Sequence, residues 1–420
     1  MRSRSMAGIA RHDAPARVRY CHCAANARRA EALYTGRRMP YIHTVGASSM
    51  NPRDPPPPPV KGRGATFNPA NRFRVDSREP CDDGWQAAVP SDDTDAPPPP
   101  RTIVTIQPAR SIIAHNDSPD VPFSQSINPY QGCEHGCIYC YARPSHAYLD
   151  LSPGIDFETR LFAKPDAAKL LRMELANSRY RCDPIALGTN TDPYQPIERE
   201  WRITRSVLEV LGECEHPFTI VTKSALVERD IDLIAPMAAK RMARVYLSIT
   251  TLDRELARRI EPRAAAPQRR LQALKTLSDA GVPVGVMVAP IIPQLNDRDL
   301  EAILEAAAAN GAQGAGWVLL RLPREVAPLF REWLDAHYPL RAGHVMSVVQ
   351  QMRGGRDYDS TFGSRMRGDG AFAALIEKRF TLACRRLGLN RGREHAGLDT
   401  SRFRPPVTDD RARQGDLFGP

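Results

Sequence analysis

From about residue 123, short apolar runs alternate with longer stretches whose apolar positions recur at helical spacing. Phe123–Asn128, Pro184–Gly188, Phe218–Thr222, Val245–Thr250, Val284–Ala289 and Gly316–Arg321 read as strands. Between them, helices are predicted over Ala167–Ser178, with Leu170, Leu171 and Leu175 on one stripe, over Thr204–Leu211, through Leu233 and Met237, over Arg269–Ala280 and over Leu300–Ala309. Such regular repetition predicts an α/β fold with a parallel sheet and helices outside it. Right-handed crossovers curl that sheet into a barrel or part of one, with ligands gathering at the C-terminal ends of its strands. After Pro323 the pattern turns helical, with Val326–His337 and Gly370–Leu387 the clearest segments.

Composition changes the picture mainly before this region. Proline runs at Pro55–Pro59 and Pro97–Pro100 are stiff and extended rather than helical. Residues 1–100 are therefore expected to be a largely disordered basic, proline-rich arm, with a core over 101–325, a helical extension over 326–404 and a flexible tail over 405–420. One island, Lys61–Phe73, stands out within the arm. It is expected either to pack across the core or to touch a phosphate backbone. The net charge of +10 does not by itself indicate a nucleic-acid binder, because residues 1–50 hold nine arginines against two acids and so carry most of it. No apolar run is long enough for a membrane span. Nine cysteines, odd in number and irregular in spacing, argue against a secreted disulfide scaffold and for a reducing, cytoplasmic setting.

The candidate chemistry centres on Cys133, Cys137 and Cys140, spaced C-x3-C-x2-C in one short loop. Three thiolates this close suit a soft metal centre, and Gly132 and Gly136 supply the backbone freedom for a tight bend. Structural zinc wants four ligands, which leaves His135 or His146 as a fourth. Alternatively, a 4Fe-4S cluster keeps one iron for a small molecule.

The second pattern resembles the radical S-adenosylmethionine (SAM) enzymes, in which an aromatic residue, here Tyr139, precedes the third cysteine. The resemblance is closest to the spore photoproduct lyase-like, or DNA repair photolyase-like, branch. It rests on the cysteine loop, Thr189–Asp192, Val221–Lys223, Leu247–Ser248, Arg259–Pro262 and Gly281–Pro290. It implies a partial (β/α)6 barrel of the radical SAM kind, a 4Fe-4S cluster on the three cysteines, and SAM chelated by the open iron. One electron then cleaves SAM to a 5′-deoxyadenosyl radical, and a reductant such as flavodoxin or ferredoxin supplies it. The resemblance also carries over Tyr139, Thr189, Lys223 and Ser248 as SAM contacts, and a lyase acting on DNA as the expected activity. The alternatives are a radical SAM enzyme for a protein or small molecule, and a non-enzymatic zinc or iron–sulfur protein.

The sequence departs from the lyase pattern in one respect: where that family carries a hydrogen-donating cysteine, this chain has Gly188-Thr189. Cys182 and Tyr194 are the nearest substitutes. The arginine- and aromatic-rich stretch Met352–Gly368 is expected either to grip phosphates and stack on bases or to be a solvated loop. Gln414–Phe418 resembles the short peptides by which bacterial repair proteins dock on the sliding clamp.

Overall fold

The computed structural model of the chain describes residues 60–73, 100–391 and 397–407. The clamp-like peptide Gln414–Phe418 and most of the N-terminal arm lie outside the described residues.

Ten strands occur among the described residues: β1 (Ile103–Ile106), β2 (Ile113–His115), β3 (Gln125–Ile127), β4 (Tyr130–Gln131), β5 (Arg160–Ala163), β6 (Ile185–Leu187), β7 (Phe218–Thr222), β8 (Ala243–Ser248), β9 (Val284–Ile291) and β10 (Gly314–Leu319). Strands β3, β6, β7, β8, β9 and β10 lie side by side in chain order and all run parallel; β2 adds an antiparallel edge. This is a six-stranded parallel arc of partial-barrel kind, as the alternating pattern predicts. Helices 167–175, 203–213, 231–239, 267–279 and 300–309 form the crossovers.

The strands are apolar because both faces are covered, one by the crossover helices and one by the barrel interior. Ile127, Leu187, Phe218, Ile220, Val245, Leu247, Val284 and Val286 all belong to one buried cluster. A second cluster joins Cys137, Ile138 and Tyr139 of the cysteine loop to Phe330, Trp333, Val345 and Val349. Those four come from helices 326–337 and 339–351, the second of which the sequence pattern did not separate. Helix 370–387 packs on helix 300–309, with Arg379 bonded to Glu301.

Strands β1, β5 and β4 form a small separate sheet that the alternation did not reveal. β4 leads straight into the cysteine loop, so this sheet fixes the loop's entry point. Among the described residues no helix is long and apolar enough to cross a membrane.

Candidate metal centre

The cysteine loop is built on two left-handed glycines, Gly132 at φ +79° and Gly136 at φ +68°. A side chain at either is excluded on two counts: the backbone conformation, and the crowding of Leu161 and His146 at Gly132 and of Glu158 at Gly136. Successive turns close as Cys140 N–H donates to Cys137 O (3.2 Å) and Arg143 N–H donates to Cys140 O (3.2 Å). Cys133 and Cys137 are buried, Cys140 is half-buried, and none forms a disulfide.

The loop after β6 braces this turn. Thr191 Oγ1 (2.7 Å) and Gln195 Nε2 (3.2 Å) both donate to Gly132 O, while Glu134 N–H donates to Gln195 Oε1 (2.9 Å). Asp192 lies 3.3 Å from His135 Nδ1 and accepts from Thr222 Oγ1 (2.6 Å) and Lys223 N–H (2.8 Å). Burial alone would raise the Asp192 carboxyl, but His135 and these donors hold it down at about 2. From below, Arg143 is fully buried and donates to Cys137 O (3.0 Å), Gly154 O (2.9 Å) and Gly136 O (3.3 Å), with Glu158 as its ion-pair partner.

A second buried ion pair, Arg270 with Glu261, lies at the end of β8. Arg270 Nη1 donates to Ser248 O (2.8 Å), and Tyr139 O–H donates to Glu261. Burial first, then the negative charge of Cys137 and Glu261, pushes the Tyr139 phenol well above its ordinary range, so it stays a donor.

The predicted SAM-side residues fall in two places. Lys223 Nζ lies 5.8 Å from the centroid of the Tyr139 ring and, among the described residues, makes no hydrogen bond or ion pair. Burial disfavours its ammonium, but Cys137 and Glu261 hold its pKa above the usual lysine value. Ser248 is buried at the tip of β8, tied by Arg270 to the Glu261–Tyr139 group. Thr189 lies further out: its hydroxyl donates to Asn128 Oδ1 (3.3 Å) and its carbonyl accepts from Tyr141.

The donor set fits an iron–sulfur cluster. Its three thiols are free, soft and mutually close: burial raises the Cys133 pKa well above normal, and the neighbouring Asp192, Cys137 and Cys140 charges raise it further. Cys137 is pushed up to about 12 by burial, against the pull of Lys223. The zinc alternative fits less well. His135 is engaged with Asp192, and His146 bonds Arg160 O (2.9 Å) while packed edge-on against Phe157 and Phe162. Among the described residues no three His, Cys, Asp or Glu side chains converge as they do around a single ion. A four-iron cluster asks for less convergence, because each thiolate takes a different iron.

The two hydrogen-relay candidates stand in different parts of the fold. Cys182 precedes β6 and so stands at the N-terminal end of the sheet, opposite to the cysteine loop. It is half-buried, and burial with nearby Asp183 pushes its thiol up to about 12. Tyr194 is fully buried and donates to Asp230 Oδ2 (3.1 Å).

Outside the loop, residues after β10 form a basic and aromatic rim. The Arg321 guanidinium lies 5.0 Å from the Tyr141 ring centroid and reaches Tyr358 Oη (3.4 Å). Arg365 lies 4.5 Å from the Phe362 centroid. Tyr141 and Phe362 are 46% and 56% exposed. Arg353 of the same stretch is instead buried, donating to Leu320 O (3.0 Å), so part of 352–368 is a structural cap on β10. Sequence reasoning missed Arg143, Glu158, Gln195 and Arg270, because buried polar pairings made only by the fold leave no periodic or spacing signal.

Residues 127–307 match the Radical SAM superfamily. An uncharacterized protein of Mycobacterium bovis is 39% identical over 221 residues, which covers 52% of this chain and 65% of the relative, just under two thirds of its length. An uncharacterized protein of Methanocaldococcus jannaschii is 29% identical over 214 residues, covering 51% of this chain and 76% of that one. Among solved structures, a spore photoproduct lyase mutant aligns at 16% identity and a TM-score of 0.49, over 68% of this chain and 80% of that one. Streptococcus suis SuiB bound to S-adenosylmethionine aligns at 12% identity and a TM-score of 0.31, over 49% of this chain and 38% of that one.

Proposed function

We propose that the protein, whose residues 127–307 match the Radical SAM superfamily, is a radical SAM enzyme that holds a 4Fe-4S cluster on Cys133, Cys137 and Cys140 and binds SAM beside it. The observation that carries this reading is the pairing of three free thiols in a braced loop with Lys223, whose ammonium faces the Tyr139 ring and makes no hydrogen bond or ion pair among the described residues. When bound, the cluster and SAM supply a 5′-deoxyadenosyl radical that takes hydrogen from a substrate.

The chain's own residues prepare that site. The three thiols must lose protons when metal binds, and the nearby Lys223 ammonium lowers the cost of the resulting charge. Lys223 also suits the carboxylate of SAM as a counter-charge. Tyr139, held by Glu261, Ser248, held by Arg270, and Thr189, held by Asn128, complete the proposed SAM side. Their own partners fix these groups before ligand arrives, which is the condition for a well-oriented site.

The proposed substrate class is nucleic acid, with damaged DNA bases favoured over RNA. Support comes from the rim, where the exposed Tyr141 and Phe362 rings offer stacking faces beside the half-buried Arg321 guanidinium, while Arg365 is committed to its ion pair with Asp120. The reductant would be a flavodoxin or ferredoxin, and the setting a reducing cytoplasm.

Two assays test the proposal. Anaerobically reconstituted protein with dithionite and SAM is expected to release 5′-deoxyadenosine; no release contradicts the enzyme reading. Fluorescence anisotropy with labelled oligonucleotides is expected to show salt-dependent binding; indifference to DNA contradicts the substrate class and favours a protein or small molecule.

A further inference from the structure

Residues 60–73 lie against the cysteine loop. Gly64 sits on the loop's backbone so closely that a Cβ there would stand 1.8 Å from Gly136 O, with no flexible side chain to give way. Gly64 N–H donates to Glu158 Oε2 and Ala65 N–H to Glu158 Oε1, both at 2.9 Å. Glu158 is the ion-pair partner of Arg143, whose guanidinium holds the carbonyls of Gly136 and Cys137. A single buried carboxylate thus joins the segment to the backbone of a cluster-ligand cysteine.

The segment is anchored along its length. Arg63 is buried and donates to Glu158 O (2.9 Å), Pro100 O (2.7 Å) and Thr102 Oγ1 (3.2 Å). Thr102 bonds Glu134, the neighbour of Cys133. Thr66 Oγ1 donates to Glu332 (3.0 Å), Asn71 Nδ2 to Ala147 O (2.9 Å), and Arg72 pairs with Glu325 at 2.7 Å. Ala65 is fully buried in the same apolar cluster as Cys137 and Ile138. Three hydrogen bonds to Glu158 and a close backbone approach are more than a passing tail provides.

We infer that residues 60–73 are a strap that positions the cysteine loop and shields the Cys137 side of the metal centre, with Gly64 and Arg63 as its positioning residues. Without the strap, Glu158 loses two N–H donors and the Gly136 carbonyl faces water. The Arg143 clamp on Cys137 then loosens, and the loop opens more often. Metal held by that loop escapes through such openings. This inference rests on the radical SAM reading for the identity of the metal group, but strap docking is a property of the protein alone.

The test uses the full chain with Gly64→Ala, Arg63→Met and, as a control, Lys61→Ala, an exposed position. In metal-free protein, cleavage by trypsin after residue 63 is quantified by mass spectrometry for the wild type, Gly64→Ala and Lys61→Ala. In reconstituted protein, iron loss to a chelator is followed anaerobically, with far-UV circular dichroism as the folding check. Gly64→Ala is expected to expose the 63–64 bond and to lose iron at least roughly threefold faster, with Lys61→Ala like the wild type. If Gly64→Ala fails to fold, Arg63→Met carries the same expectation for iron loss. Iron loss at the wild-type rate from a folded variant overturns the strap's role while leaving the cluster reading intact. A wild-type chain that takes up no iron overturns that reading, while cleavage of metal-free Gly64→Ala at the wild-type rate overturns the docking of the strap itself.

Discussion

Asp192 Oδ2 stands 3.3 Å from His135 Nδ1, joining the loop after β6 to the middle of the cysteine loop. The same carboxylate accepts from Lys223 N–H, so one side chain fixes both the ligand loop and the strand end that carries the proposed SAM counter-ion. The polar Thr189–Asp192 motif therefore serves the loop more than it faces outward.

Replacing Asp192 with Asn removes the charge but keeps the size. The variant is expected to lose about 1–3 kcal/mol of stability, from the charged partner and one misplaced donor. Urea unfolding of the metal-free protein checks this, and an unchanged midpoint contradicts it.

The Arg270–Glu261 pair is buried on both sides, at 1% side-chain exposure each. Arg270→Met leaves the carboxylate without its cation and is expected to cost about 3–5 kcal/mol. Adding Glu261→Gln is expected to recover part of that loss. A double variant no more stable than the single one would show that Arg270 acts through its bonds to Ser248 O and Ala265 O instead.

His216 is fully buried, with Nε2 hydrogen-bonded to Tyr180 Oη at 2.7 Å and Nδ1 facing Pro217 O at 3.0 Å. Burial lowers its pKa to about 4. The unfolded chain binds the proton first, so this stabilisation is complete above about pH 6.5 and is lost as pH falls toward 4. The contribution is about 3 kcal/mol across that window. His216→Gln is expected to flatten the stability-versus-pH curve between those limits; an unchanged slope would contradict the assignment.

Much of this architecture was legible in the sequence. The helices at 300–309, 326–337 and 370–387 and strand β7 fall where periodicity put them, because each has a strong one-sided or two-sided apolar pattern. Strand β1 did not register, since Ile103 and Ile106 are both 60% exposed and the run shows no alternation. The 60–73 segment was visible as an island, but Gly, Asn and Pro carry no period, so its docking partner was not. The grouping of Cys133, Cys137 and Cys140 in one glycine-bent loop was legible from their spacing. Their supports were not, because Arg143–Glu158 and Gln195–Gly132 are pairings made by the fold.

Cys182 and the rim offer a contrast in placement. Cys182→Ser is expected to leave 5′-deoxyadenosine release and product formation unchanged, because the residue stands at the wrong end of β6. Arg321→Ala with Tyr141→Ala is expected to weaken oligonucleotide binding by about 10-fold while radical generation persists, since stacking contributes roughly 1–3 kcal/mol per base. Equal affinity would remove the rim from the substrate site.

Metal analysis combined with electron paramagnetic resonance of the anaerobically reconstituted, dithionite-reduced protein tests the metal centre most directly. About four irons per chain are expected, with a reduced-cluster signal whose shape changes when SAM is added, both lost on Cys133→Ala. A colourless protein carrying zinc, or an iron signal indifferent to SAM, would contradict it.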